Sequence, residues 1–290
     1  MKKIYALGFF DGVHLGHRAL LDACWYLAKA TGCTPAAVTF DPHPSALTTG
    51  KAPLLINTVA ERQRLMLPVH DVLVLPFDAQ RRDQPWQDFL EELIARDAAG
   101  FVCGDDFRFG CRGQGTAALL DQFCRERKLA FRMIPQQLLD GTRISSTHIR
   151  QLIENGEMAQ AVRFLGHPHI LTGKVIRGQQ LGRTIGIPTA NLALPSQVVC
   201  PKFGVYACKA IVAGKEYLAV TNVGMRPTVG GDHITVEPWL LDFEGDLYGK
   251  ALTLAFYDFL RPEQKFASLE ELKAEIQKNA LQTRKLFEKC

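Results

Sequence analysis

At 290 residues, with 47% hydrophobic and 22% charged positions, the chain has the length and composition of one large or two ordinary soluble domains. Its formal net charge of +4 divides evenly along the sequence, too weak a basic balance for a nucleic-acid footprint but suited to small anionic partners. No apolar run reaches the roughly 18 residues of a membrane span, Met1-Lys2-Lys3-Ile4 runs straight into a strand, and the eight cysteines form no C-x-x-C pair, so the expectation is a cytoplasmic protein with reduced thiols and no membrane partner.

In chain order, an apolar strand at residues 3–9 leads into Gly8-Phe9-Phe10-Asp11-Gly12-Val13-His14-Leu15-Gly16-His17 and a helix over 16–30. Such a strand-loop-helix junction presents free N–H groups and the positive end of the helix dipole, which suits phosphate. Gly12 and Gly16 allow close backbone approach. The imidazoles of His14 and His17 can donate to a phosphoryl group that gains charge in its transition state. Alone, the pair also fits half a zinc site or two surface histidines, and the loop lacks the G-x-x-x-x-G-K-[ST] pattern. Strands at 36–40, 71–76, 100–103 and 130–134 alternate with helices at 58–67, 84–98, 116–128 and 146–155, which predicts a doubly wound parallel sheet. The 84–98 helix has Pro85 near its start and a Phe89, Leu90, Leu93, Ile94 stripe that reads as core. Arg143-Ile144-Ser145-Ser146-Thr147-His148-Ile149-Arg150 opens the last helix with capping hydroxyls and puts Arg150 one turn in, toward the same sheet edge.

Together, the G-x-F-D-G-x-H-x-G-H and I-S-S-T-x-I-R strings resemble the HxGH nucleotidyltransferase superfamily. Val38-Thr39-Phe40-Asp41-Pro42-His43-Pro44 and Gly104-Asp105-Asp106-Phe107-Arg108-Phe109-Gly110 are similar to its flavin-nucleotide adenylyltransferase branch. Nearly the whole chain resembles the prokaryotic bifunctional riboflavin kinase/FMN adenylyltransferase family. The resemblance implies that His14, His17 and Arg150 stabilise the α-phosphoryl transition state. It implies that Gly8, Phe10, Asp11, Gly12, Ser145, Ser146 and Thr147 bind nucleotide, and that His43, Asp105, Phe107 and Phe109 contact flavin.

From Ile170 the rhythm changes to short strands at 170–176, 205–212, 216–224, 234–243 and 251–259, which predicts an antiparallel barrel or sandwich. A final helix from Ser268 to about Leu286 starts with a Ser268/Glu271 capping box and carries a Leu269, Leu272, Ile276 face. The boundary falls near Gly166-His167-Pro168, after a short helix ending around Leu165, giving domains 1–166 and 167–290. The glycine-rich stretch from Gly173 to Gly186 fits a phosphate-binding loop or an ordinary flexible hairpin. Thr189 and Asn191, two apart on an extended segment, share a face and offer hard oxygens to Mg²⁺, or else bond local backbone.

The G-x-x-x-G-R-x-x-G-x-P-T-A-N-L string resembles the riboflavin kinase signature, and the segments 201–207, 222–228 and 236–249 agree with it. The resemblance implies nucleotide contacts from Gly173, Gly178, Gly182, Arg183 and Pro188, Mg²⁺ at Thr189 and Asn191, and Glu237 as the general base for the flavin's ribityl hydroxyl. Departures from the family pattern are a short N-terminal lead, Asn279 where relatives often carry Asp, and His167 and His169 where they often carry Arg and Tyr. The expectation is an α/β plus all-β enzyme: a Rossmann-like domain, then a β-barrel with a terminal helix. It phosphorylates riboflavin with MgATP to FMN and then adenylylates FMN with ATP to FAD and pyrophosphate, with no nucleic acid and no obligate protein partner. The rival readings are a single adenylyltransferase with a silent barrel and a non-catalytic flavin-binding regulator.

Overall fold

Strand β1 (Lys3–Leu7) forms the centre of a parallel sheet in a computed structural model that describes residues 1–177, 182, 186–228 and 231–288. Two compact units divide the chain, Met1–Ser146 and Thr147–Cys290.

The first unit alternates β1, α1 (Leu15–Thr31), β2 (Thr34–Asp41), α2 (Val59–Leu65), β3 (Asp71–Pro76), α3 (Trp86–Ala95), β4 (Ala98–Gly104), α4 (Ala117–Arg127) and β5 (Ala130–Ile134). The sheet order is β3-β2-β1-β4-β5, so the chain reverses direction of growth beside β1. Both faces of the sheet are covered, and β1 shows why. Tyr5 and Leu7 point into a core with Phe89, Leu90 and Leu93 of α3 and Leu120 and Phe123 of α4. Ile4 and Ala6 point the other way, onto Leu20, Leu21, Cys24 and Ala28 of α1. The expected α3 stripe is therefore core. Gly100 lets β4 and β5 pack: a Cβ there would strike the Ala130 carbonyl.

The second unit opens with α5 (Ser146–Asn155) and α6 (Met158–Leu165). Six strands then close into an antiparallel barrel: β6 (His169–Ile176), β7 (Asn191–Ala193), β8 (Gly204–Val212), β9 (Lys215–Thr228), β10 (Gly231–Leu240) and β11 (Ala251–Arg261), ordered β6-β7-β10-β9-β8-β11. Closure removes the open edges of so many short strands. The terminal helix α7 (Leu269–Glu288) packs on β8 and β9. Half of the expected capping box forms, Ser268 Oγ accepting from the Glu271 N–H at 3.2 Å, while the Glu271 carboxylate accepts from the Ala267 N–H at 3.0 Å. Leu269, expected on the inner face, is instead 59% exposed. Helix α6 packs on β6 and β11. Among the described residues no helix is long and apolar enough to cross a membrane.

Candidate active sites

Past β1 the backbone turns sharply. Phe10, Gly12 and Val13 have φ of 60°, 80° and 40°. Positive φ at a buried Phe and a β-branched Val is strained and persists only where surroundings enforce it. Here Asp11 Oδ1 accepts from the N–H groups of Ile56 at 2.9 Å and Asn57 at 3.4 Å, and its carbonyl accepts from the Ser146 hydroxyl at 2.9 Å. The turn delivers His14 as the N-cap of α1, where its Nδ1 accepts from the His17 N–H at 3.2 Å. This bond leaves the proton of a neutral His14 ring on Nε2. The two imidazoles stack, with centroids 3.6 Å apart and an 11° interplanar angle. The glycine between them leaves room for the stack: a Cβ on Gly16 would press on the His14 ring at 3.2 Å. Burial, then the neighbouring His14 and the Arg62 charge, hold the His17 pKa well below its ordinary value, so the ring is neutral at pH 7. His17 Nδ1 is buried without a hydrogen-bond partner among the described residues.

A cavity of about 220 Å³ lies over this pair, at the carboxyl ends of β1, β4 and β5, where α/β sheets bind ligands. It is lined by Gly8, Phe9, His14 and His17, by Asp105, Asp106 and Phe107 after β4, and by Arg143, Ser145 and Ser146. Arg143 and Asp106 form an ion pair. A second cavity of about 410 Å³ is walled by six phenylalanines, Phe9, Phe40, Phe77, Phe89, Phe107 and Phe109, with Thr48, Arg81, Gln84, Asp106 and Arg108 as its polar residues. Such a wall suits a planar aromatic ligand. Phe9, Asp106 and Phe107 line both cavities.

Of the expected residues, Gly8, His14, His17, Asp105, Phe107, Ser145 and Ser146 line the first cavity, and Phe107 and Phe109 the second. Phe10, Asp11 and Gly12 stand behind the lining and build the turn. His43 meets the Phe9 ring edge-on at 4.3 Å and its Nδ1 lies 2.6 Å from Ser45 Oγ. Thr147 and Arg150 fall on α5, within the second unit. Sequence reasoning missed Phe9, Phe40, Phe77, Arg81 and Arg62. The first three each stand at or just past the carboxyl end of a parallel strand, and that position was the available signal.

In the barrel, a cavity of about 320 Å³ is lined by Thr189, Val220, Asn222, Glu237, Trp239 and Arg261 and roofed by Leu272, Ile276 and Asn279 of α7. Asn222 of β9 pairs directly with Glu237 of β10, so both side chains share one face. Glu237 Oε1 is enclosed by protein. Thr189 also opens onto a small cavity with Pro188, Phe243, Asp246 and Tyr248. Asn191 begins β7, paired with Ile176, and lines neither space. Gly173 lies in β6 opposite Leu252, with the Ala193 carbonyl 3.3 Å from any Cβ it could carry. The Gly182 carbonyl accepts from the Ile187 N–H at 2.8 Å. Gly178 and Arg183 lie outside the described residues.

The departures from the family pattern have visible places. Asn279, 1% exposed, accepts from Arg261 Nε at 3.1 Å inside the barrel cavity, and Glu275 lies 3.6 Å from the same guanidinium. His169 is fully buried beside Phe256, and burial with a weaker push from His167 takes its pKa down to about 3.

Two family models match the chain: one described as FAD synthetase over residues 1–148, the other as riboflavin kinase over residues 165–287. Among curated proteins, the "Bifunctional riboflavin kinase/FMN adenylyltransferase" of Listeria monocytogenes is 35% identical over 303 residues, covering 100% of this chain and 94% of its own. The Escherichia coli K12 protein of the same description is 38% identical over 290 residues, covering 98% and 92%. Among solved structures, one described as a macrolide-efflux protein from Streptococcus pneumoniae superposes with a TM-score of 0.89 at 30% identity, covering 98% of this chain and 94% of that one.

Proposed function

This chain belongs to the bifunctional riboflavin kinase/FMN adenylyltransferase family, and from that premise we propose how its residues divide the two reactions. The enzyme phosphorylates riboflavin to FMN and adenylylates FMN to FAD, with ATP as the donor in both steps. We assign adenylylation to residues 1–166 and phosphorylation to residues 167–290.

The observation that carries the first assignment is the stacked His14/His17 pair at the mouth of a helix, beside a cavity rimmed by Ser145 and Ser146. In this reading the triphosphate lies against the α1 N-terminus, with Gly8 leaving room for it and the serine hydroxyls holding it. The imidazoles donate to the α-phosphoryl oxygens as charge builds there. A neutral His17 suits the task, because it can donate one N–H without adding a charge beside the stacked His14 ring. Arg150 lies four residues after Ser146, on the same side of α5, and serves as the clamp on departing pyrophosphate. FMN brings its isoalloxazine into the phenylalanine-walled cavity, with Phe107 and Phe109, stacked at 5.4 Å, as its floor. His43 acts at its edge through the Phe9 ring it meets, and Asp105, which lines only the nucleotide cavity, acts from the side where the two cavities share Phe9 and Phe107. Phe10, Asp11 and Gly12 serve by building the turn. No covalent intermediate is needed, since positioning and charge stabilisation suffice for a phosphoryl-type displacement.

In the barrel, Glu237 takes the proton from the ribityl hydroxyl, as a carboxylate enclosed in the same cavity as Thr189. The hard, neutral oxygen of Thr189 on the cavity wall would hold Mg²⁺, and Asn191, outside both barrel cavities at the start of β7, is the second ligand of this reading. Bound Mg²⁺ would draw charge from the transferring phosphoryl group. Pro188, Gly173, Gly178, Gly182 and Arg183 complete the nucleotide side. The small net charge and cavities of this size support small-molecule partners rather than nucleic acid or an obligate protein partner, and buried thiols such as Cys24 and Cys208 support work in the reducing cytoplasm.

The test is incubation with riboflavin and MgATP followed by chromatographic separation of the flavins. FMN should appear first and FAD after it, and His17→Ala should stop at FMN, since losing one donor to developing charge costs about 2.7–4 kcal/mol in barrier. FAD formation by His17→Ala at the wild-type rate would refute the assignment. FMN never forming from riboflavin, with FAD still made from supplied FMN, would favour the silent barrel, and no product from either flavin the regulator.

A further inference from the structure

Phe9 stands where the two cavities of the first unit meet, since it lines both. What holds it is a buried cation. The Thr58/Glu61 capping box fixes the start of α2, and Arg62, the next residue, reaches from that first turn over the ends of β1 and β2. Arg62 is wholly buried. One terminal nitrogen donates to the Phe9 carbonyl at 2.6 Å and the Thr39 hydroxyl at 3.1 Å; the other donates to the Phe40 carbonyl at 3.2 Å. Thr39 Oγ1 also donates to the Phe9 carbonyl, at 2.7 Å. The guanidinium lies 4.2 Å from the centroid of the Phe9 ring, and His43 meets that ring at its edge.

This is an expensive way to hold a loop. All three of these hydrogen bonds go to uncharged oxygens, Nε has no hydrogen-bond partner among the described residues, and the Asp11 and Asp41 carboxylates act on the charge only through space. A buried cation neutralised so indirectly is a poor stabiliser of a fold. It is a good device for fixing two backbone carbonyls and one ring at once, because only a planar fork presents donors in that pattern. Its charge also reaches His17, and an anionic nucleotide bound beside it would complement it.

We infer that Arg62 is a positioning residue for adenylyl transfer: its fork ties the Phe9 and Phe40 carbonyls together across the ends of β1 and β2 and backs the Phe9 ring, fixing the partition across which FMN and the nucleotide meet. The inference rests on the assignment of the two cavities to those ligands.

The experiment uses the full chain as wild type, Arg62→Lys, Arg62→Met, Phe9→Leu and the Arg62→Lys/Phe9→Leu pair. Steady-state adenylylation of supplied FMN gives kcat and the KM of each substrate across the neutral pH range. Arg62→Lys keeps the charge and loses the fork, so the KM for FMN should rise by roughly tenfold while the low-pH limb of the rate profile stays in place. Arg62→Met loses both, so that limb should also move to higher pH, because His17 protonates more easily without the neighbouring charge. The double variant should be no worse than the worse single, since both changes loosen one partition. Riboflavin phosphorylation by the same molecules should be unchanged. Kinetics of both Arg62 variants within about twofold of wild type, or strictly additive effects in the double variant, would overturn the inference. Should Arg62→Met fail to fold by thermal unfolding, Arg62→Lys and the double variant decide. The parent reading fails separately: His17→Ala retaining adenylylation refutes the site, whereas inactive His17→Ala with normal Arg62 variants refutes the role of Arg62 alone.

Discussion

Glu237 and Thr189 share one cavity and separate by chemistry. Glu237→Gln keeps shape and hydrogen bonding but accepts no proton, so riboflavin phosphorylation should fall by about 10²–10⁴-fold with MgATP affinity retained. Thr189→Val removes a hard oxygen, so MgATP should bind more weakly and recover in part at high Mg²⁺. Calorimetric MgATP affinity beside FMN formation distinguishes the two, and near-normal turnover of Glu237→Gln would leave the base unnamed. Both variants should still make FAD from supplied FMN. His169 gives a residue-scale prediction about stability. Its pKa in the fold, about 3, lies below the ordinary value of 6.5, so its contribution is complete above that value. As pH falls the unfolded chain takes up the proton first, and stability is lost at about 1.4 kcal/mol per pH unit between the two values. Urea unfolding at about pH 7 and about pH 5 should show a smaller loss for His169→Phe than for wild type. Equal acid sensitivity would show that another group dominates.

The β1–α1 junction explains why a strand expected over 3–9 ends at Leu7. Phe10 adopts the left-handed conformation that starts the turn, so pairing ends at the Gly8 N–H, which donates to the Val38 carbonyl at 3.3 Å, and Gly8 and Phe9 become cavity wall. Gly16 belongs to the same device. Gly16 is the second residue of α1, where alanine is the better helix former, yet an alanine Cβ would crowd the His14 ring. Gly16→Ala should therefore keep or raise the thermal midpoint while FAD synthesis falls, with FMN formation unaffected. Calorimetry and flavin chromatography on one sample check this, and an undiminished FAD rate would mean that the stacked geometry is not needed.

For the whole molecule, the family matches and the packing divide the chain differently. The riboflavin kinase match begins at residue 165, yet α5 and α6 belong to the compact unit that contains the barrel. Met158, Ala161, Phe164 and Leu165 are buried, and α6 lies on β6 and β11. A fragment of residues 147–290 should therefore fold and convert riboflavin to FMN without making FAD. A fragment of residues 167–290 keeps the phosphorylation residues but exposes that face. Large apolar side chains such as these stabilise by about 1.5–3 kcal/mol each when buried, so the shorter fragment should unfold at clearly lower denaturant concentration. Equal midpoints would show that α6 is dispensable.

How much was legible follows from the range of each interaction. Period-two runs, capping residues and turn glycines are local, so the sequence alone determined the alternating parallel-sheet unit, the antiparallel strands after Ile170, the terminal helix and the His14/His17 junction. Only the tertiary structure decided what faces what. Phe9, Phe40 and Phe77 read locally as apolar strand ends and become one aromatic cavity because three strands stop at the same sheet edge. Arg62 reads as one charge among several on a short helix, and its burial depends on β1 and β2 ending beneath it. Asn279 reads in the sequence only as a departure from the family pattern, and it meets Arg261 because α7 folds back over the barrel. Contacts that join residues far apart in sequence leave no local period, so only the folded chain fixes them.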